Sequence, residues 1–199
     1  MSATTPEPNI SNFRSPLALT RFYGVCVVGM ALDIVVKYAA QARLEGQAGH
    51  AFWPGWLHFE WVLNPGAVFG IGAGHRWLFV AVSVLALGFL TYLFAAAGRR
   101  QWGYQIILGM LLAGVLGNLY DRVMYGHVRD MFRILPGWSW PGEWTVFGYP
   151  GFGREVFPYV FNVADVMLCV GVALMLGHAL FFDVIRKPKE SGAEAGQAA

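Results

Sequence analysis

Phe161-Asn162-Val163-Ala164-Asp165 runs straight into Val166-Met167-Leu168-Cys169-Val170-Gly171-Val172-Ala173-Leu174-Met175-Leu176-Gly177-His178-Ala179-Leu180-Phe181-Phe182. An apolar run of this kind belongs to a helix that crosses a bilayer core, which takes about 20 residues. It opens with a carboxylate. Ionisable groups at membrane depth are costly and tend to be kept for function. A second aspartate, Asp130 in His127-Val128-Arg129-Asp130-Met131-Phe132, precedes the same span. Two carboxylates that converge can share a proton, one acting as base and the other as acid. The pair points to an enzyme.

The composition agrees with a membrane class. Of 199 residues, 56% are hydrophobic and only 13% charged, and the mean hydropathy is +0.48. A soluble domain carries roughly 25% charged residues. Four spans are expected, at about 22–42, 77–97, 102–120 and 160–182, within one membrane-embedded domain over 1–199. Residues 1–18 and 187–199 are polar and read as frayed tails. Ala40-Gln41-Ala42 resembles a signal-cleavage site, but Asp33 and Lys37 interrupt the apolar core that a removable signal needs. A net charge of +2 with scattered basic residues gives no reason to expect nucleic acid. Cys26 and Cys169 lie in apolar runs and suggest neither a disulfide nor a metal site.

Orientation follows from charge and aromatic residues. Gly98-Arg99-Arg100-Gln101, between spans two and three, is short and basic, which places it in the cytoplasm. Arg14, Arg21 and the run Arg186-Lys187-Pro188-Lys189 agree, so both termini are expected to be cytoplasmic. The opposite loops, about 43–76 and 121–159, hold Arg43, Arg76, Arg122, Arg129, Arg133 and Arg154, but these are spread over longer segments. Trp53, Trp56, Trp61, Trp77, Trp138, Trp140 and Trp144 all fall on that outer side, where indoles favour the headgroup layer. The alternation Leu57-His58-Phe59-Glu60-Trp61-Val62-Leu63 reads as a strand. The expected fold is therefore an all-α membrane protein of four transmembrane helices with a small extracytoplasmic β element and loop.

Polar residues mark four places. Asp33 and Lys37 share a face of the first span, either as an ion pair that pins the helix or as part of a site. Asn64-Pro65-Gly66-Ala67-Val68-Phe69-Gly70 is a turn in which Asn64 offers an amide and Gly66 permits close approach. Gly117-Asn118-Leu119-Tyr120-Asp121-Arg122 closes the third span. There Asn118 and Arg122 share a face, while Asp121 and Arg122 could simply end the helix. Asn162 and Asp165 share a face at the start of the fourth span. No Gly-x-Ser-x-Gly elbow, metal-ligand histidine spacing or phosphate loop occurs. Paired aspartates activating a water are what is left. The other class is a small membrane transporter or proton relay using the same carboxylates, although transport sites tend to lie at midplane between repeated halves.

These pieces, in this order, resemble the lipoprotein signal peptidases (signal peptidase II), integral aspartyl proteases of the bacterial cytoplasmic membrane. Asp33 and Lys37 match the family's Asp-x-x-x-Lys, and Asn64, Gly66, Ala67 and Phe69 its Asn-x-Gly-Ala-x-Phe. Gly117, Asn118, Asp121 and Arg122, then Val128 and Asp130, match Gly-Asn-x-x-Asp-Arg and Val-x-Asp. Phe161, Asn162, Ala164 and Asp165 match Phe-Asn-x-Ala-Asp. The likeness covers about residues 17–185.

The resemblance implies that Asp130 and Asp165 are the catalytic dyad, with Asp121 the runner-up for the first role. Asn64, Asn118, Arg122 and Asn162 would position the peptide or support the dyad. Two departures stand out: Arg129 replaces the usual apolar residue before the first aspartate, and the aromatic segment 131–160 is long. The implied substrate is a diacylglyceryl-modified pre-lipoprotein, cut on the N-terminal side of its lipidated cysteine at the outer membrane face. Membrane lipids and globomycin-type cyclic peptide inhibitors are the other implied partners. No metal or organic cofactor is implied, and a monomer is expected.

Overall fold

Four helices carry the apolar runs: α1, Pro16–Leu44; α2, Arg76–Ala96; α3, Trp102–Tyr125; and α4, Val163–Leu180. Each is long and apolar enough to cross a membrane. The computed structural model describes residues 12–66, 74–139 and 155–180. Between the helices lie strands β1 (His50–Trp53), β2 (Leu57–Asn64), β3 (Val128–Ile134) and β4 (Val160–Phe161), which form one antiparallel sheet in the order β1-β2-β3-β4. The alternating segment expected as a short strand is β2, inside a four-stranded sheet. Residues 140–154, the aromatic middle of the 131–160 segment, lie outside the described residues, as do Ala67, Phe69 and Gly70.

The chain order puts the sheet at one end of the bundle. Leu44 ends α1, Arg76 starts α2, Tyr125 ends α3 and Val163 starts α4, all next to strands or their connections. The tight α2–α3 connection, 97–101, and the start of α1 lie at the other end. α3 is the central helix, with 56% of its apolar window buried, against 17%, 11% and 17% for α1, α2 and α4. Without a hydrophobic drive between helices in lipid, close contact rests on small residues that let backbones approach. At Gly109 a side chain would run into the Phe22 carbonyl of α1, and at Gly114 a Cβ would stand 2.7 Å from the Ala164 carbonyl oxygen of α4. Phe22 also stacks on Phe94 of α2, with centroids 4.1 Å apart and rings 10° from parallel.

Three expectations need correcting. The frayed tail does not extend to residue 18: Asn12–Arg14 form a 3-10 turn, Ser15 caps α1 by accepting from the Ala18 N–H, and Pro16 opens the helix. Asn12 is buried because its Nδ2 donates to the carbonyls of Phe94 (2.8 Å) and Ala97 (2.7 Å), two of the orphan acceptors at the end of α2. Second, Asp121 and Arg122 do not end the third span. The helix continues to Tyr125 and stops at Gly126, whose φ of 83° is the left-handed C-terminal turn that glycine allows. Third, the fourth helix starts at Val163, because Val160–Phe161 are taken by the sheet.

The tightest three-helix contact is at Gly117, where an added Cβ would lie 2.5 Å from Asp33 Oδ2 and 3.3 Å from Ala164 Cβ. Gly117→Ala is therefore expected to lower stability by about 1–3 kcal/mol, the usual cost of overpacking. Gly103→Ala, with nothing within 4 Å, should leave it equal or slightly higher. Thermal unfolding midpoints in detergent check the pair.

Candidate active site

The site starts from charge that cannot stay unpaired at depth. Asp33 and Lys37 of α1 are both fully buried, with Lys37 Nζ 2.8 Å from Asp33 Oδ2. The same ammonium lies 3.1 Å from Asp121 Oδ2 and donates to Asn118 Oδ1 at 3.2 Å, both on α3. The ammonium thus stands within 3.2 Å of three acceptors on two helices. Asp33 Oδ1 accepts the Ala164 N–H at 2.8 Å and so ties in the first turn of α4.

That turn is closed by a capping box. The Asp165 N–H donates to Asn162 Oδ1 at 3.0 Å, and the Asn162 N–H donates to Asp165 Oδ2 at 3.2 Å. Reciprocal bonds three residues apart satisfy two orphan N–H groups at a helix start, and a carboxylate in the first turn meets the positive end of the helix. Asn162 Nδ2 is then free to donate to Asn118 Oδ1 (3.1 Å) and to Asp130 Oδ1 (2.6 Å). Asn118 Oδ1 already receives Lys37 and Asn162, so its Nδ2 points the other way and donates to Asp165 Oδ1 at 2.8 Å.

Asp130 arrives on β3, paired with Val62 of β2 in the sheet register. Asn64 at the end of β2 donates from Nδ2 to Asp130 Oδ2 at 3.1 Å, while its Oδ1 accepts the Gly66 N–H at 3.0 Å. Arg122 donates to the carbonyls of Asn118 and Gly66, both at 3.4 Å, and stands within electrostatic reach of Asp165, Asp130 and Asp121. Asp33, Lys37, Asn64, Gly66, Asn118, Asp121, Arg122, Asp130, Asn162 and Asp165 thus come together in one connected network. Asn162 bridges the two candidate carboxylates directly.

Asp130 is 1% exposed. Burial first, and then the charge of Asp165, push its carboxyl up to about 7 against the opposing pull of Asn64, Asn162 and Lys37. This is the expected response of a carboxyl withdrawn from water in a site that already holds another. Asp165 faces a cleft of about 760 Å³ that also exposes Asn64, Asn118 and Arg122. Its apolar walls come from Val82 and Ala86 of α2, Val166 and Cys169 of α4, and the rings of Phe157 and Tyr159. Asp130 lies behind this surface rather than on it.

Asp121 is different in kind. It is fully buried between Lys37 and Arg129, which donates to it from its main-chain N–H (3.0 Å), Nε (3.1 Å) and Nη2 (2.8 Å). Its partners are not its neighbour Arg122, since adjacent helical residues point apart. The sequence marks Arg129 only as a departure from the family pattern, and nothing local names Asp121 as its partner. The capping role of Asn162 was not read from the sequence, although the Asn-x-x-Asp spacing signals it. Among the described residues no cluster suited to a metal ion occurs.

The comparisons agree with one another. A model of the signal peptidase (SPase) II family matches residues 25–181. A lipoprotein signal peptidase of Desulfitobacterium hafniense is 32% identical over 146 residues, 73% of this chain and 83% of that one. Another, from Listeria welshimeri, is 31% identical over 169 residues, 84% and 97% of the two chains. A bacterial membrane enzyme solved by the in meso method at 2.3 Å resolution superposes with a TM-score of 0.68 at 28% identity, covering 92% of this chain and 98% of its own. With four apolar helices, an antiparallel sheet and a match over most of its length, the chain belongs to the signal peptidase II family.

Proposed function

We propose that this protein is a membrane aspartyl endopeptidase that removes signal peptides from diacylglyceryl-modified bacterial pre-lipoproteins, cutting on the N-terminal side of the lipidated cysteine. Family membership makes it a peptidase, and relatives that match it carry the name lipoprotein signal peptidase. The observation that carries the aspartyl reading is the pair Asp130 and Asp165, joined through Asn162 at an apolar cleft.

In this reading Asp130 holds its proton up to about pH 7 and is the acid. Asp165, at the cleft wall, takes a proton from a water that attacks the scissile carbonyl carbon, while Asp130 gives its proton to the carbonyl oxygen. When the tetrahedral intermediate collapses, the C–N bond breaks. Asp165 then returns its proton to the leaving amine, and Asp130 recovers one from the hydroxyl. Asn118 and Asn162 hold the carboxylates in place, and Asn64 steadies Asp130. Asp121 serves structure. The apolar walls receive the residues before the cut and the acyl chains after it, and a globomycin-type cyclic peptide would fill the same cleft.

The sheet end of the bundle is taken to face outward in the bacterial cytoplasmic membrane, with both termini inside. Arg99 and Arg100 mark the inner end, while Trp53, Trp56, Trp77 and Trp138 are exposed near the sheet. The arginines that complicate the charge count at the sheet end are largely engaged: Arg129 with Asp121, Arg133 with Glu60 and Glu155, and Arg76 with the Val123 carbonyl.

Three outcomes follow. Asp130→Asn and Asp165→Asn, each shown to be folded, should each lose more than about a thousandfold in cleavage of a purified diacylglyceryl-modified pre-lipoprotein, the scale seen on removing a catalytic group. Asp130→Asn retaining wild-type cleavage would remove it from the dyad. Because the acid must keep its proton, kcat/KM should fall as pH rises through about 7. A rate that climbs through that range would reverse the assignment. For orientation, exposed Gln47→Cys at the sheet end should react with a membrane-impermeant thiol reagent in intact cells, and Arg99→Cys only after permeabilisation.

A further inference from the structure

Residue 129 is where this chain sets an arginine before the dyad aspartate, and the structure shows where that arginine goes. Successive residues of a strand point to opposite faces. Asp130 turns to Asn64 and Asn162, and Arg129 turns to the junction of α1 and α3. Although a full cation, Arg129 is 1% exposed. Its guanidinium lies 4.7 Å from the ring centre of Tyr38 and 4.3 Å from that of Tyr125, and it donates to Gln41 Oε1 at 3.2 Å. Its Nε and Nη2, with its own main-chain N–H, donate to Asp121.

Charge counting gives this arrangement its meaning. Asp33 and Asp121 carry two negative charges, and Lys37 supplies one positive charge between them. Arg129 supplies the second, so the buried set is neutral. Without it Asp121 would compete harder for Lys37, whose bond to Asn118 at 3.2 Å is the longest of its three. That bond helps to turn the Asn118 amide toward Asp165. Arg129 also grips Asp121 through main chain and side chain together, which fixes the start of β3 one residue before Asp130.

We propose that Arg129 is a positioning residue for the dyad: it closes Asp33, Lys37 and Asp121 into a charge-balanced cluster and clamps β3 to α3, holding Asp130 in place. This rests on the peptidase reading above. The charged and titratable groups around the pair are Asp33, Lys37 and Tyr38 from α1, Asp121, Arg122 and Tyr125 from α3, and Asp165 from α4. β2 and β4 present the neutral Asn64 and the apolar Phe161.

The test is the pH dependence of pre-lipoprotein cleavage by full-length Arg129→Met, Arg129→Lys and the double variant Arg129→Met/Asp121→Asn. Arg129→Met leaves one uncompensated negative charge. Its kcat should drop about tenfold with KM within about twofold, less than the about hundredfold that follows a full 1 Å misplacement. Its alkaline limb should move up by roughly half a pH unit, because added negative charge holds the Asp130 proton more tightly. The double variant restores neutrality, so its limb should return to the wild-type position, while its kcat stays below wild type because the side-chain clamp on β3 is still missing. Arg129→Lys keeps the charge, so its limb should stay in place, and it decides the matter if Arg129→Met does not fold.

A limb unmoved in Arg129→Met, a limb that does not return in the double variant, or a limb shifted in Arg129→Lys would each overturn the inference while leaving the dyad standing. Wild type that cleaves no modified substrate would instead overturn the peptidase reading and this inference with it.

Discussion

The ammonium of Lys37 is the point on which the rest of the structure depends. A cation at that depth needs partners, and removing one partner of a buried ion pair typically costs about 3–5 kcal/mol. Its three contacts, Asp33, Asp121 and Asn118, lie on two helices, and Asp33 extends the tie to the first turn of α4. Buried ion pairs are weak sources of net stability, because well-packed apolar groups can do as well. What they supply is register. A slide or rotation of α1 against α3 would break several charged contacts together, whereas Leu against Leu would tolerate many alignments. Gly117 belongs to the same constraint, since only a residue without a side chain leaves room for the Asp33 carboxylate.

From that register the chemistry follows through amides. An asparagine both donates and accepts, so a neighbour that occupies its oxygen decides where its nitrogen points. Lys37 and Asn162 occupy Asn118 Oδ1, and Asn118 Nδ2 goes to Asp165. Asp165 occupies Asn162 Oδ1 from its main chain, and Asn162 Nδ2 goes to Asp130. Gly66 occupies Asn64 Oδ1, and Asn64 Nδ2 goes to Asp130. Each carboxylate is held by donors whose own orientation is set one bond further out. The helix cap at Asn162 and Asp165 therefore serves folding and site together, and neither side chain can change without touching both.

Much of this was legible in the sequence, for definite reasons. Apolar runs over a bilayer length gave the helices, and the alternation at Leu57–Leu63 gave β2. Asp33 and Lys37 stood out because charge inside such runs is rare. Helix ends were less visible: Asp121 and Arg122 looked like a surface terminus, since nothing local shows that Lys37 and Arg129 cover the aspartate. Asn12 lay in a stretch of tail-like composition, and its two acceptors lie more than 80 residues away. The size of the sheet was hidden for a similar reason, because β4 is two residues long and looks like the start of a span. Local pattern carried the elements, while the pairings set by long-range contacts had to come from the fold.

The most direct test is whether Asp130 holds a proton near neutral pH, as its burial and, after that, the neighbouring charge of Asp165 require. Infrared titration of the carboxyl stretch in the membrane-reconstituted protein would measure this, with Asp130→Asn identifying the band. The account predicts a protonated Asp130 with a midpoint near 7, moved clearly downward in Asp165→Asn as the neighbouring charge is lost. A midpoint in the ordinary carboxylate range, or one unchanged by Asp165→Asn, would contradict it.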